Sequence, residues 1–170
     1  MKFTKIFLAV LCGSLMFSCE WDSFEDESGL TNLENANSFV RLLTGNAAGT
    51  ETVEVSQANT STDVSIESRQ TTGGEVTANY TLGGTAEYGT IYNIDGATAS
   101  GGSIAIPFQT DESTAPASGD VTINFLVDTL VAGSQTIILT LESASSDDGT
   151  TLDVGQGTLR KELILTLVND

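Results

Sequence analysis

In Val121-Thr122-Ile123-Asn124-Phe125-Leu126-Val127, apolar and polar side chains alternate as far as Phe125. Successive side chains of a β-strand point to opposite faces, so this pattern predicts a strand with one buried and one solvated face. Val76-Thr77-Ala78-Asn79-Tyr80 alternates in the same way. Both segments contain β-branched residues, which fit a pleated sheet. The region around them is therefore predicted to be a β-sheet.

The same alternation recurs along the chain in short runs divided by Gly, Asn and Ser clusters, which form turns. The predicted strands cover residues 39–43, 53–55, 64–66, 76–80, 104–106, 121–127, 136–141 and 159–168. Residues 83–103, with six glycines, are predicted to form the longest irregular connection, and residues 111–120 a second exposed loop. Seven or eight short strands without a long amphipathic helix indicate an all-β fold, an antiparallel β-sandwich of immunoglobulin-like type.

The sequence predicts an export signal before the domain. Lys2 and Lys5 begin it, followed by a mostly apolar run at residues 6–17. That run is too short for a stable helix across a bilayer of about 30 Å. Ser18 is a small residue before Cys19, and no cysteine follows Cys19. We therefore predict a lipoprotein signal peptide at residues 1–18 and acylation of the Cys19 thiol; the alternative is a cysteine that merely belongs to an apolar leader.

Met16-Phe17-Ser18-Cys19 resembles a lipobox of the looser kind found in lipoproteins of Bacteroidetes-type bacteria. The acidic segment Glu20-Trp21-Asp22-Ser23-Phe24-Glu25-Asp26-Glu27 is similar to the surface-export signals of those lipoproteins, and it also fits a solvated tether. Residues 19–36 are predicted to be a flexible acidic tether before a domain at residues 37–170. The resemblance implies attachment to the outer membrane, with the domain at the cell surface or facing the periplasm.

The composition excludes several classes of function. The chain has 23 acidic and 6 basic residues and a net charge of −17, which becomes −19 when Lys2 and Lys5 leave with the signal peptide. Nucleic acid is excluded as a partner, because phosphate binding needs clustered Lys and Arg. The chain has no histidine, the commonest general base, and no thiol after Cys19. No catalytic residue is predicted, and the protein is not expected to be an enzyme.

Four segments of the chain carry a recognisable pattern: Val76-Thr77-Ala78-Asn79-Tyr80-Thr81-Leu82-Gly83-Gly84-Thr85-Ala86, Gly89-Thr90-Ile91-Tyr92, Asp128-Thr129-Leu130-Val131-Ala132-Gly133-Ser134-Gln135 with the strands on either side of it, and Val168-Asn169-Asp170. Together these segments resemble the Calx-β family. In order, they are similar to the family's strand with its Gly-Thr-Ala turn, its Gly-x-x-Tyr, its acidic turn between two strands, and its Asp-Asn-Asp ending. The resemblance covers most of residues 38–170 and implies a seven-stranded sandwich.

The resemblance also implies, as in many members, calcium held by carboxylates at one end of the sandwich. Calcium takes six to eight oxygen ligands, several of them charged. Of the family's acidic positions, only Asp128 and Asp170 carry a carboxylate here. The other positions match Gln57, Ile91, Ala132, Ser134 and Gln135. No firm cofactor is predicted, and a calcium-binding adhesion or matrix domain with a weakened site is the alternative function.

Two tyrosines are candidates for partner binding. Tyr88 and Tyr92 fall in the predicted glycine-rich loop, where their rings could stack on a sugar or a partner protein. Tyr92 also matches a family position that is usually structural. The leading prediction is a non-catalytic interaction or spacer module, held to the lipid bilayer through acylated Cys19, whose exposed loops bind a protein or glycan.

Overall fold

A computed structural model describes residues 38–69, 74–108, 117–131, 133–155 and 160–169. The chain divides into two units, residues 1–36 and 37–170, and every described residue belongs to the second. The predicted signal peptide and tether lie outside the described residues. Within the described ranges no helix is long and apolar enough to cross a membrane. The strands are β1 (Phe39–Leu42), β2 (Thr50–Val55), β3 (Ser61–Arg69), β4 (Val76–Gly84), β5 (Tyr92–Ile94), β6 (Gly101–Ile106), β7 (Ala117–Phe125), β8 (Gln135–Ser146), β9 (Thr151–Val154) and β10 (Glu162–Asn169).

The strands form two layers. In the first layer the order is β1-β3-β7-β5, and in the second it is β2-β10-β8-β4-β6. Strand β9 pairs with β8 of the second layer and with β1 of the first, so one hydrogen-bonded path joins the layers. Most pairs are antiparallel, but β1 runs parallel to β9, and β2 runs parallel to β10. The all-β fold class is confirmed, and the sheet is mixed rather than purely antiparallel.

The parallel pairs arise because two segments of the chain are each divided into two strands, residues 39–55 into β1 and β2, and residues 151–169 into β9 and β10. Between Leu42 and Thr50 the chain passes from the first layer to the second and continues in the same direction, and β9 and β10 both run antiparallel to β8. The break between β1 and β2 is hydrogen-bonded to the break between β9 and β10, since the Leu42 amide donates to the Arg160 carbonyl at 2.9 Å. The Arg160 guanidinium in turn donates to the Leu43 carbonyl at 3.0 Å. The first two strands of the domain therefore pair with its last two, β1 with β9 and β2 with β10.

The apolar core lies between the layers and follows the alternation of the sequence. In β10 the three leucines are fully buried while the residues between them are partly exposed, and in β7 the buried positions are Val121, Ile123 and Phe125. Each fully buried aliphatic side chain contributes roughly 1.5–3 kcal/mol to folding by leaving water. Register is therefore strongly specified, because a slip by one residue would expose every one of these side chains.

Each predicted strand overlaps an observed one, but the described residues form ten strands, and the sequence indicated seven or eight. The additional strands are β5, three residues long, and β9, four residues long. Both are flanked closely by Gly and Asp residues, which favour turns and led to the prediction of loops there. The predicted loop at residues 83–103 is consequently wrong: it contains the end of β4, all of β5 and the start of β6. Residues 117–120 of the second predicted loop belong to β7.

Candidate interaction site at the loop end

Three connections leave the sandwich at one end. They are the β2–β3 turn at residues 56–60, the β4–β5 connection at 85–91, and the β7–β8 connection at 126–134, of which residue 132 is not described. Asn169 ends β10 at the same place. We call these connections and Asn169 the loop end. This end also contains most positions that the Calx-β resemblance matches to calcium ligands.

The chain enters the sandwich at the opposite end. Phe39, the first residue of β1, pairs with Arg69, the last residue of β3, whereas β3 begins beside the loop end at Ser61. We call the end containing Phe39 and Arg69 the entry end. The nine residues of β3 separate the two ends by about 30 Å, because a strand rises roughly 3.3 Å per residue.

Side-chain and backbone hydrogen bonds brace the first part of the β7–β8 connection. The Leu130 amide donates to Asn169 Oδ1 at 2.6 Å, and Asn169 Nδ2 donates back to the Leu130 carbonyl at 3.0 Å. The Leu126 amide donates to the Ile91 carbonyl at 2.9 Å. Leu130 itself is 2% exposed and packs into the core. Residues 126–130 are thus held at both ends, by the β4–β5 connection at Leu126 and by β10 at Leu130.

Two apolar side chains of this connection point into solvent. Val131 is fully exposed, at 101% of its reference area, and Leu126 is 46% exposed. The exposure of neither residue was predicted from the sequence. Leu126 fell within the predicted strand at residues 121–127, and no local pattern distinguishes the buried Leu130 from the exposed Val131 that follows it.

The loop end brings together two positions that the resemblance linked to metal binding. Gln57 Nε2 donates to Asp128 Oδ2 at 3.3 Å, and both side chains are exposed. Ile91, a third matched position, contributes its carbonyl to Leu126. Asp170 and Cys19 lie outside the described residues. Over the described ranges, no three His, Cys, Asp or Glu side chains are grouped closely enough to hold a metal ion.

The tyrosines of the predicted glycine-rich loop pack into the domain. Tyr92 is 2% exposed, and its burial raises the pKa of its phenol, to which the neighbouring Tyr88 adds a smaller effect. Tyr88 meets Tyr92 edge to face with centroids 5.4 Å apart, and its hydroxyl donates to the Ile94 and Ala97 carbonyls. Tyr92 therefore has no exposed ring face for a partner, which contradicts the binding role considered for it. Tyr88 is partly buried and serves chiefly to fasten the β5–β6 connection.

In the acidic turn at residues 147–150, at the entry end, the Asp148 carboxylate accepts hydrogen bonds from within the turn and its flanks. The Asp148 carboxylate accepts hydrogen bonds from the Ser146 hydroxyl and, at 2.8 Å, from the Thr150 amide. These bonds, that from Ser146 most of all, lower the pKa of Asp148. Its neighbour Gly149 has a φ of 84°, a conformation that favours glycine, so the segment is a tight turn.

A shallow polar groove of about 480 Å³ runs beside β2, the edge strand of the second layer. Its lining residues are Glu51, Thr52, Val53, Glu54, Asn59 and Thr62. The Asn46 side chain bonds to the amide and hydroxyl of Thr50, and the Asn59 side chain donates to the Glu54 carbonyl. Two asparagines thus occupy part of the open edge, which limits pairing with a foreign strand.

No family model matches the chain, and no curated protein matches it. Solved structures match it in fold. The apo form of the Calx CBD1 domain aligns with a TM-score of 0.54 and 13% identity over 79% of this chain and 98% of that one. The Calx CBD2 domain gives 0.54 and 9% identity over 78% and 86%. CBD12 from CALX1.2 gives 0.53 and 14% over 78% of this chain and 44% of that longer chain.

At these identities the likeness shows the fold alone, and this chain has a Calx-β-like sandwich. A further neighbour, CBD12 of CALX1.1, is described as a calcium binding domain. The resemblance noted from the sequence is confirmed for the fold.

Proposed function

We propose that this protein is a lipid-anchored, non-catalytic interaction module of the outer membrane, facing the surface or the periplasm. Acylated Cys19 holds it to the bilayer, residues 19–36 form a tether, and the loop end binds a protein or glycan partner. One observation carries the proposal: the chain enters the sandwich at the end opposite the loop end. A domain held by its N-terminus would present these loops away from the membrane.

Charge and chemistry support the same function. The chain carries 23 acidic residues against 6 basic ones, so adsorption of the domain to anionic lipid is disfavoured and attachment requires an anchor. Two or more acyl chains on one residue give stable anchoring, whereas a single chain is marginal. Acylation would also remove the lone thiol that otherwise remains exposed at the mature N-terminus.

The test is the mass and partitioning of the chain purified from its native membrane. We expect a mature protein that begins at Cys19, carries at least two acyl chains and enters the detergent phase. Cys19→Ser should abolish acylation, and Cys12→Ser, the matched control within the predicted leader, should change nothing. An unmodified Cys19, or cleavage elsewhere, contradicts the anchor.

A calcium-binding adhesion or matrix domain is the second candidate. The contact between Gln57 and Asp128 supports it, because two positions matched to family ligands meet at one end of the sandwich. A ligand that binds only the folded state raises its melting temperature. This function predicts a higher Tm in millimolar calcium than in chelator, and Asp128→Asn should abolish that rise. An unchanged Tm for the unmodified chain contradicts it.

A further inference from the structure

Apolar exposure at the loop end is concentrated on one connection. Leu130 is 2% exposed, Val131 is 101% exposed, and Leu126, earlier in the same connection, is 46% exposed. Scattered apolar side chains are ordinary on protein surfaces. These two differ in that they share a short segment whose backbone is fixed. Docking a fully exposed valine would contribute roughly 0.8 kcal/mol for each methylene-sized group removed from water.

The segment is organised before any partner arrives. Asn169 holds Leu130 through two hydrogen bonds, Ile91 holds Leu126 through a third, and the buried Leu130 side chain anchors the turn between the two exposed residues. Ordering a mobile loop on binding costs free energy that a braced loop has already spent in folding. The backbone that leads to Val131 is therefore already held at Leu126 and Leu130.

The charged side chains around residues 126–131 are acidic. The connections at residues 56–60, 85–91 and 126–134 contain no lysine or arginine, whereas Glu87 and Asp128 are exposed within them. Glu54 and Asp63 are exposed on the adjoining strands. The basic residues of the described chain lie elsewhere, in β1, at the last residue of β3 and just before β10. Like charges facing each other cost affinity, so a basic partner is favoured over an anionic lipid surface or a second copy of this acidic end.

The loop end is less suited to binding a sugar than to binding a protein. Aromatic rings commonly supply the flat faces on which sugars stack, but Tyr92 is buried and the Tyr88 ring packs edge to face against it. An apolar tip with an acidic surround matches the central apolar contact and charged rim of protein–protein interfaces.

We propose that residues 126–131 form the contact element for a protein partner, with Val131 entering an apolar pocket that basic side chains surround and Leu126 supplying a second apolar contact. This inference rests on the proposed function, of which it names the partner class and the contacting residues. Asp128 faces the basic rim, and Asn169 acts as a positioning residue for the loop.

The experiment uses the full chain in its native membrane, with benzoylphenylalanine as a photo-cross-linker at position 131. The matched control carries the same group at position 43, because Leu43 is 40% exposed and lies between β1 and β2, away from the loop end. We expect a protein adduct from position 131 and none from position 43. On the surface of the partner, Lys or Arg side chains should surround the cross-linked site. The adduct partner is then purified and its Kd for the soluble domain is measured.

Binding by the purified partner decides the role of the loop. Val131→Glu should weaken Kd by about 30-fold, the effect of losing a central interface residue, and Leu43→Glu should leave it unchanged. Higher salt should slow association with the unmodified domain, and Asp128→Lys should reduce that dependence. A Kd insensitive to Val131→Glu, a sugar adduct, a second copy of this chain as adduct, or no adduct in membrane-attached protein overturns the proposal. Attachment is scored separately through Cys19, and the soluble-domain measurement needs no lipid, so failure of the anchor and failure of the contact element are distinguishable.

Discussion

Leu130 and Val131 are adjacent residues with opposite environments. One packs into the core and is 2% exposed, and the other is fully exposed. The local sequence does not indicate which of them is buried, since both are aliphatic and both follow a turn-forming Asp-Thr pair. The backbone of Leu130 is bonded through both its amide and its carbonyl to the side chain of Asn169, which is far along the chain. This contact with a distant residue accompanies the burial of Leu130 and is not visible in the local sequence.

This contrast gives a paired prediction for stability. Leu130→Ala should lower the free energy of unfolding by about 2–5 kcal/mol, because it removes buried methyl groups and leaves a cavity. Val131→Ala should change it by less than about 0.5 kcal/mol, as expected for a solvent-facing side chain. Chemical denaturation of both variants measures the difference. Equal losses would mean that Val131 also packs in the folded protein.

At the scale of elements, sequence and structure agree except where a strand lies among turn-forming residues. The alternation of β4, β7 and β10 was sufficient to place them, although the ends shifted by several residues. Strands β5 and β9 were not recognised, because each is flanked closely by Gly and Asp residues that favour turns. The parallel pairing of β1 with β9 could not be predicted either, since alternation does not indicate strand direction.

The candidate site was predictable to the same limited extent. The family resemblance singled out Asp128 and Asp170 and matched Gln57 to a replaced ligand position; the side chains of Gln57 and Asp128 meet at 3.3 Å, and Asp170 lies outside the described residues. The binding role considered for Tyr92 failed because its supposed loop contains β5, which turns the ring into the core. Val131 was missed because exposure within a connection depends on contacts with distant residues.

Strand β1 has only four residues, and a cross-strand ion pair strengthens its attachment. Arg41 Nη2 donates to both carboxylate oxygens of Glu67 on β3, at 3.1 and 3.2 Å, and Glu67 is 4% exposed. Glu67→Gln should lower the free energy of unfolding by about 1.5–3 kcal/mol, the usual value for hydrogen bonds to charged groups. The lower part of that range is expected because the Arg41 side chain is 28% exposed.

The matched control is Glu142→Gln, an exposed carboxylate that accepts one hydrogen bond from the Thr81 hydroxyl. It should change the free energy of unfolding by less than about 0.5 kcal/mol in the same denaturant titration. Similar losses for the two variants would show that the pair with Arg41 adds nothing to the docking of β1.

At the scale of the whole molecule, the buried tyrosines set an alkaline limit to stability. Burial raises the pKa of Tyr80 and of Tyr92 above the value near 10 that phenols have in an unfolded chain. Their contribution is fully present below pH 10. It is lost as the pH rises from 10 through the higher folded-state pKa, because the unfolded chain ionises more readily.

We therefore expect the denaturation midpoint of the unmodified chain to fall between pH 8 and pH 10.5. The double variant Tyr80→Phe/Tyr92→Phe should lose less stability over the same interval, whatever its stability at pH 8. The other titrating groups are common to both proteins, so the difference in slope isolates the two phenols. Parallel pH profiles would contradict the assignment.

The position of β1 also has a mechanical consequence. The strand starts at the entry end, runs toward the loop end, and is hydrogen-bonded on one side to β3 and on the other to β9. If the N-terminus is anchored while a partner pulls on the loop end, tension acts along the axis of β1. The hydrogen bonds on both sides are then loaded together in shear, rather than opened one after another. Four residues, with the Arg41–Glu67 pair across them, would act as the clamp that keeps the domain folded under traction.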